Sequence, residues 1–279
     1  MQTTIIAVVI IAIVIIGIIG YGVTGYAYAT TRVANADRTL NTVVSHENNL
    51  NTTFKNIDTE FNSLGANTTF NPLEARAVAD QFVLGATRAT TAVKQDDASL
   101  VTASSSLHAQ SWLTLFSRTM LDKESSRIVH ARTALADARS LAADYVQDGQ
   151  FLEAFLDSAA DLDTLAGQTS NSDLSGASAT LTTMKTHVDK ALQLSSAPGL
   201  PADLHALMTD FETLVADFGN LVTDAQANND SAVSADAAKV QADSDRISSH
   251  NYDKISADID TYYKPLVDDF NSEMAAAAA

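Results

Sequence analysis

The sequence predicts an all-α protein: an N-terminal transmembrane helix continuing into a long coiled-coil-like helix, followed by an elongated multi-helix bundle. Three observations carry this. The first charged side chain is Arg32, and Ile5 to Gly20 is almost wholly Ile, Val and Ala, broken only by Gly17. From Val33 to Leu64 apolar residues recur at alternating spacings of three and four, the mark of a helix packed along one seam. No stretch alternates apolar and polar residues as a half-buried strand does.

The anchor comes first. A helix from Ile5 to Ala29 would be roughly 37 Å long, enough to cross about 30 Å of hydrocarbon. Tyr21, Tyr26 and Tyr28 gather at its C-terminal end, where amphipathic rings favour the headgroup level. Gly17 lies within the run, and small residues recur four apart at Gly20 and Thr24, then Gly25 and Ala29. That spacing lets helices approach closely in lipid. Ala27-Tyr28-Ala29 has the form of a signal-peptidase site, but Met1-Gln2-Thr3-Thr4 supplies no positive charge before the run, so a retained anchor is expected. Gly20-Tyr21-Gly22-Val23-Thr24-Gly25 matches a dinucleotide fingerprint in letters. Its preceding run is too long for one strand and no βαβ unit surrounds it, so nucleotide binding is not expected.

The heptad follows directly. Its seam runs Val33, Ala36, Leu40, Val43, Glu47, Leu50, Phe54, Ile57, Phe61 and Leu64. Glu47 is the polar intruder, and one polar seam residue fixes register. Arg127, His130 or Arg132 could partner it. Gly65 supplies a stop. Asn71-Pro72-Leu73-Glu74 then restarts a helix, with Asn as cap, Pro at the first position and Glu placed to close a capping box. The pattern continues to about Asp148-Gly149, as one helix or as two broken near Gln95–Asp97 or Leu121–Glu124.

Four shorter helices are expected next. They cover about 150–166, about 173–194, from the Ala197-Pro198-Gly199-Leu200-Pro201 turn to about Ala227, and from Asn228-Asn229-Asp230 to about Phe270. The last carries Ile255, Ile259, Tyr262 and Leu266 inward, with Pro265 a source of a kink and Ala275–Ala279 a featureless tail. The chain thus divides into an anchor (1–31), a long-helix stalk or bundle (32–149) and a shorter-helix bundle (150–279).

Charge and composition narrow the function. The 17 basic and 34 acidic residues all follow Thr31 and give a net charge of −17. Such acidity argues against nucleic acid and against a second attachment to anionic lipid. With no cysteine, disulfides, thiolate metal sites and cysteine nucleophiles are excluded. The six histidines are scattered without H-E-x-x-H or Glu-x-x-His spacing, so no metal, cofactor or catalytic set is expected. Asp157, Asp161 and Asp163, like Asp243 and Asp245, read as solvated faces, and Trp112 reads as core. Arg32 and Arg38 after the anchor favour a cytoplasmic C-terminus by charge bias. The Ala-Tyr-Ala end and the cysteine-free, Thr- and Asn-rich composition favour an extracytoplasmic domain, which is the expected side.

The expected role is structural: an accessory or scaffold subunit of a cell-envelope or membrane complex, its partners being lipid and other helices, of its own kind or another. A pilin-like filament subunit and a helical ligand-binding or sensor module are the alternatives. In layout the chain resembles LemA-type proteins, which place one N-terminal membrane helix before an extended helical bundle; the likeness carries over no site residue.

Overall fold

Helix α1 runs without interruption from Gln2 to Gly65, so the apolar run and the heptad lie on one element. No proline interrupts it, and glycines are tolerated where the surroundings supply packing. The computed structural model describes the backbone of residues 2–65, 71–109 and 117–279. Side chains are described within these, apart from those of 2–23, 25, 54, 58 and 61–65. Six further helices follow: α2 (Pro72–His108), α3 (Arg118–Ser170), α4 (Leu174–Leu194), α5 (Ala202–Gln226), α6 (Asp230–Ser248) and α7 (Tyr252–Ala278). Among the described residues there is no strand. The protein is an all-α, multi-helix bundle.

Local chemistry sets the boundaries. Asn71 Oδ1 accepts from the backbone N–H groups of Leu73 and Glu74 at 3.1 and 3.4 Å, with Pro72 at the first helical position, where no donor is missed. Asp173 caps α4 through Gly176 N at 2.9 Å, Asn229 caps α6 through Ala232 N at 3.4 Å, and Asn251 caps α7 through Lys254 N at 3.0 Å. Ser172 and Asn228 take left-handed φ values of 58° and 55°, closing α3 and α5 as short polar residues can.

Three expected boundaries are corrected. The break in the long second pattern falls between His108 and Arg118, not at Gln95–Asp97 or Leu121–Glu124. Helix α3 does not end at Asp148-Gly149 but passes through to Ser170. A Cβ on Gly149 would lie 2.5 Å from Val83 Cγ2 and 2.9 Å from Phe82 Cδ1, so this glycine serves close helix packing rather than termination. The final pattern is two helices, divided at Ser249–Asn251, because the Asn251 side chain caps a new start.

The chain forms two compact units. Unit 1 comprises Met1–Asn49, Thr91–Arg139 and Val267–Ala279. Its core gathers Leu40 and Val43 of α1, Leu100 and Leu107 of α2, and Ile128 and Leu135 of α3. Arg32 is buried and reaches the end of α2, donating to the carbonyls of Leu107 (3.5 Å) and Ala109 while its guanidinium sits 3.9 Å over the Tyr28 ring. Cations suit a helix C-terminus, where carbonyls lack partners.

The C-terminal alanines, expected as a featureless tail, are helical as far as Ala278, and Ala277 is fully buried in this core. Arg127 Nε donates to Ala277 O at 2.8 Å, and its Nη1 to Asp37 at 3.0 Å and Glu124 at 2.9 Å. Deleting Ala275–Ala279 strips this guanidinium of a partner and opens the core. The deletion should cost unit 1 roughly 2 kcal/mol, the scale of a charge-assisted hydrogen bond. Urea denaturation of the two chains measures it; equal midpoints would refute it.

Unit 2 comprises Leu50–Thr90 and Ser140–Leu266. Its core centres on α5, whose Leu207, Met208 and Val215 meet Leu181, Met184 and Val188 of α4. Arg76 of α2 binds α3 through Asp157 (3.0 Å) and Glu153 (3.4 Å), and Asp80 on its own helix.

Candidate ligand cavity

Unit 2 contains a cavity of about 530 Å³, within the range that small-molecule sites occupy. Five helices and one turn build it. On α3, Tyr145, Asp148, Phe151 and Leu152 line it at spacings of three and four, which a 3.6-residue helix brings to one side. On α7, Ile255, Ile259 and Tyr263 do so at spacings of four, with Asp260 beside them. Phe82 of α2 and Ile57 of α1 add apolar wall, and Leu200 and Leu204 come from the turn before α5 and its first residues.

That turn has a specific reason to be Ala-Pro-Gly-Leu-Pro. Gly199 takes φ +88°, a conformation that costs any L residue with a Cβ. The Tyr263 hydroxyl end also packs so closely that a Cβ on Gly199 would overlap it. Pro201 holds the extended conformation from which α5 starts.

The polar end of the cavity is a small network. Tyr263 Oη donates to Asp148 Oδ2 at 2.5 Å, while Asp148 Oδ1 is buried without a hydrogen-bond partner. Burial pushes the Asp148 carboxyl up to about 6; Asp144 adds to the rise and the Tyr263 bond opposes it. The Tyr263 phenol is likewise raised, by burial first and then by its bond to Asp148. Phe82, Tyr145 and Tyr263 meet in succession with tilted rings, centroids 5.4 and 5.0 Å apart. Tyr262, expected inward, is 41% exposed and bonds Asp144 at 3.2 Å, whereas Tyr263 is 8% exposed. The i, i+4 continuation from Ile255 and Ile259 leads to 263, one residue further on.

Of the anchor, interfacial and seam residues singled out in the sequence, Ile57 lines the cavity and the other described ones fall elsewhere. Gly17, Gly20, Tyr21, Gly25, Phe54, Phe61 and Leu64 lie outside the described side chains, and Trp112 outside the described residues. Thr24 and Tyr26 are exposed, Tyr28 is half-buried against Arg32, and Ala29 is buried in the unit 1 core. Leu40, Val43 and Glu47 are buried in unit 1. In unit 2, Ile57 is buried and Leu50 half-buried.

Glu47 has neighbours other than those expected. Arg127 serves Asp37 and Glu124, His130 meets Glu273 at 2.7 Å, and Arg132 meets Asp97 at 2.7 Å. Glu47 instead shares its site with Asp96 and His46, and burial, followed by Asp96, raises its carboxyl to about 7 against a lowering by His46. His46 lies 3.0 Å from Asp96.

His187 pairs with Asp161 and His250 with Asp210, at 2.7 and 2.8 Å. With His46 and His130, four histidines thus bridge to carboxylates on other helices. Asp157, Asp161 and Asp243 are not solvated faces: the first two hold Arg76 and His187, and Asp243 is buried beside Arg246 at 3.1 Å. Among the described residues no group of His, Asp and Glu is arranged to hold a metal ion. Nor is any helix among them long and apolar enough to cross a membrane; the side chains of Ile5–Gly20 are outside that set. No protein-family model matches this chain, nor does any curated protein or solved structure.

Proposed function

We propose that this chain is a membrane-anchored helical-bundle protein that acts by binding, with unit 2 holding a small apolar molecule. The observation that carries the reading is the cavity of about 530 Å³, walled by Phe82, Phe151, Leu204, Ile255 and Ile259. A pocket that is mostly apolar with a few convergent polar groups is the usual form of a ligand site. The anchor rests on Ile5–Gly20, an uncharged run on the same continuous helix that enters unit 1. In this reading the helical part stands outside the cytoplasm. The accessory-subunit role expected from the sequence draws less support from the heptad, because Leu40 and Val43 are covered by the chain's own α2 and α3.

Each half has its own test. The full chain expressed in cells should sediment with membranes and resist alkaline carbonate extraction. Ile11→Lys/Ile15→Lys should release it, since each buried charge costs about 3 kcal/mol at a helix centre. A wild-type chain found in the soluble fraction would refute the anchor. For the cavity, the full chain in mild detergent with labelled Ile and Leu methyls is titrated with water-soluble 4-phenylbutan-1-ol. Shifts confined to Ile57, Leu200, Leu204, Ile255 and Ile259 support ligand binding, and shifts spread over the surface or absent refute it.

A further inference from the structure

We propose that the unit 2 cavity selects an apolar organic cation, an amine on an aliphatic or aromatic body, held with its ammonium at Asp148 beside the Tyr145 and Tyr263 rings. The inference rests on the binding function proposed above and adds the ligand's charge. Asp148 and Asp260 are the charged residues lining the cavity, and none of its described lining residues is Lys, Arg or His. An anionic guest such as a fatty acid would therefore meet two carboxylates and, among the described residues, no counter-ion.

Asp148 itself is half provided for. Oδ2 receives the Tyr263 hydroxyl, whereas Oδ1 is buried and unpartnered. Burying a carboxylate oxygen without a donor is costly, and an ammonium supplies both donor and charge. The ring faces add to this. Phe82, Tyr145 and Tyr263 form a run of aromatics at one end of the cavity, and aromatic faces attract desolvated cations. Phe151, Leu152, Ile255 and Ile259 leave the remaining wall apolar for the body of the guest.

The test uses three ligands of one shape, 4-phenylbutylamine, 4-phenylbutan-1-ol and 4-phenylbutanoate, titrated into the full chain in detergent and read by the same cavity methyls. The amine should bind at least tenfold more tightly than the alcohol, and the carboxylate more weakly than either. Asp148→Asn should remove most of the amine's advantage and leave alcohol binding unchanged. Asp260→Asn should reduce that advantage less, and circular dichroism checks that both variants fold.

Acid should act like Asp148→Asn. The titratable groups acting on Asp148 are Asp144 and Tyr145 from α3 and Tyr263 from α7, and Asp260 of α7 lines the same cavity. As pH falls from 7 to 5 the Asp148 carboxyl, raised to about 6, takes up its proton, so amine affinity drops while alcohol affinity holds. Equal affinity for all three ligands would overturn the cation assignment and leave the binding function standing. Binding of none would overturn both. An amine preference that survives Asp148→Asn would overturn Asp148 as the counter-ion.

Discussion

Replacing Glu47 by Leu should stabilise unit 1 by about 2–3 kcal/mol at pH 8, and by far less at pH 5. Glu47 occupies a seam position, is 9% exposed, and keeps Oε1 without a hydrogen-bond partner. Its carboxyl is raised from 4.5 to about 7, first by burial, then by Asp96, with His46 pulling the other way. At 1.36 kcal/mol per pKa unit this corresponds to roughly 3 kcal/mol against the ionised form.

The direction follows from linkage. Between pH 4.5 and 7 the folded state holds a proton at Glu47 that the unfolded state has released, so this group's contribution to stability falls as pH rises through that window. Above it the penalty is complete, and below it the penalty is gone. Leucine removes the penalty and adds buried apolar area at a position where α1 already presents Leu40 and Val43. Thermal unfolding of both chains at pH 8 and pH 5 isolates the Glu47 site, because carboxyls remote from Glu47, His46 and Asp96 contribute equally to each and cancel in the difference. The melting temperature gap should be about 5–10 °C at pH 8 and should shrink at pH 5. A gap independent of pH would show that Glu47 is not the group being protonated. A fall in stability at pH 8 would show that the charge is held by interactions worth more than its burial costs.

The all-helical architecture could be read from period and punctuation, and the errors have distinct physical origins. Asn71-Pro72, Asp173 and the 197–201 turn are local signals, and α2, α4 and α5 begin where those signals stand. Gly149 carried a misleading signal, because a glycine that ends a helix and one that admits a neighbouring side chain look alike in sequence. Only the approach of Phe82 and Val83, more than sixty positions away, distinguishes them. Ala275–Ala279 show no pattern since alanine is neutral to periodicity; their burial is set by Arg127 and by the core they meet. The cavity was the least visible feature. Its residues come from five helices and a turn, and Asp148 looked like part of a helix end rather than the polar centre of an apolar wall. The one local hint was the offset at Tyr262-Tyr263, where continuing Ile255 and Ile259 by four picks out Tyr263.

Gly199→Val should be the most damaging single change in unit 2, with a loss of roughly 3–5 kcal/mol, since two separate costs meet at one backbone position. The first is conformational: φ +88° is disfavoured for any residue with a Cβ, and most of all for a β-branched one, by about 1–3 kcal/mol. The second is steric, for the new Cβ would overlap Tyr263, and overpacking of this kind costs about 1–3 kcal/mol. If Tyr263 swings away to relieve the overlap, Asp148 loses its donor while remaining buried, so the damage passes directly into the polar end of the cavity. The melting temperature should fall by about 6 °C or more, and the near-ultraviolet signal of the packed tyrosines should weaken. Tyr263→Ala separates the two costs. In the double variant the overlap is gone but the strained φ remains, so Gly199→Val should be less harmful on the Tyr263→Ala background than on the wild type by about 1–3 kcal/mol. Strict additivity would place the whole cost in the backbone and leave Tyr263 without a part in holding the turn against the cavity.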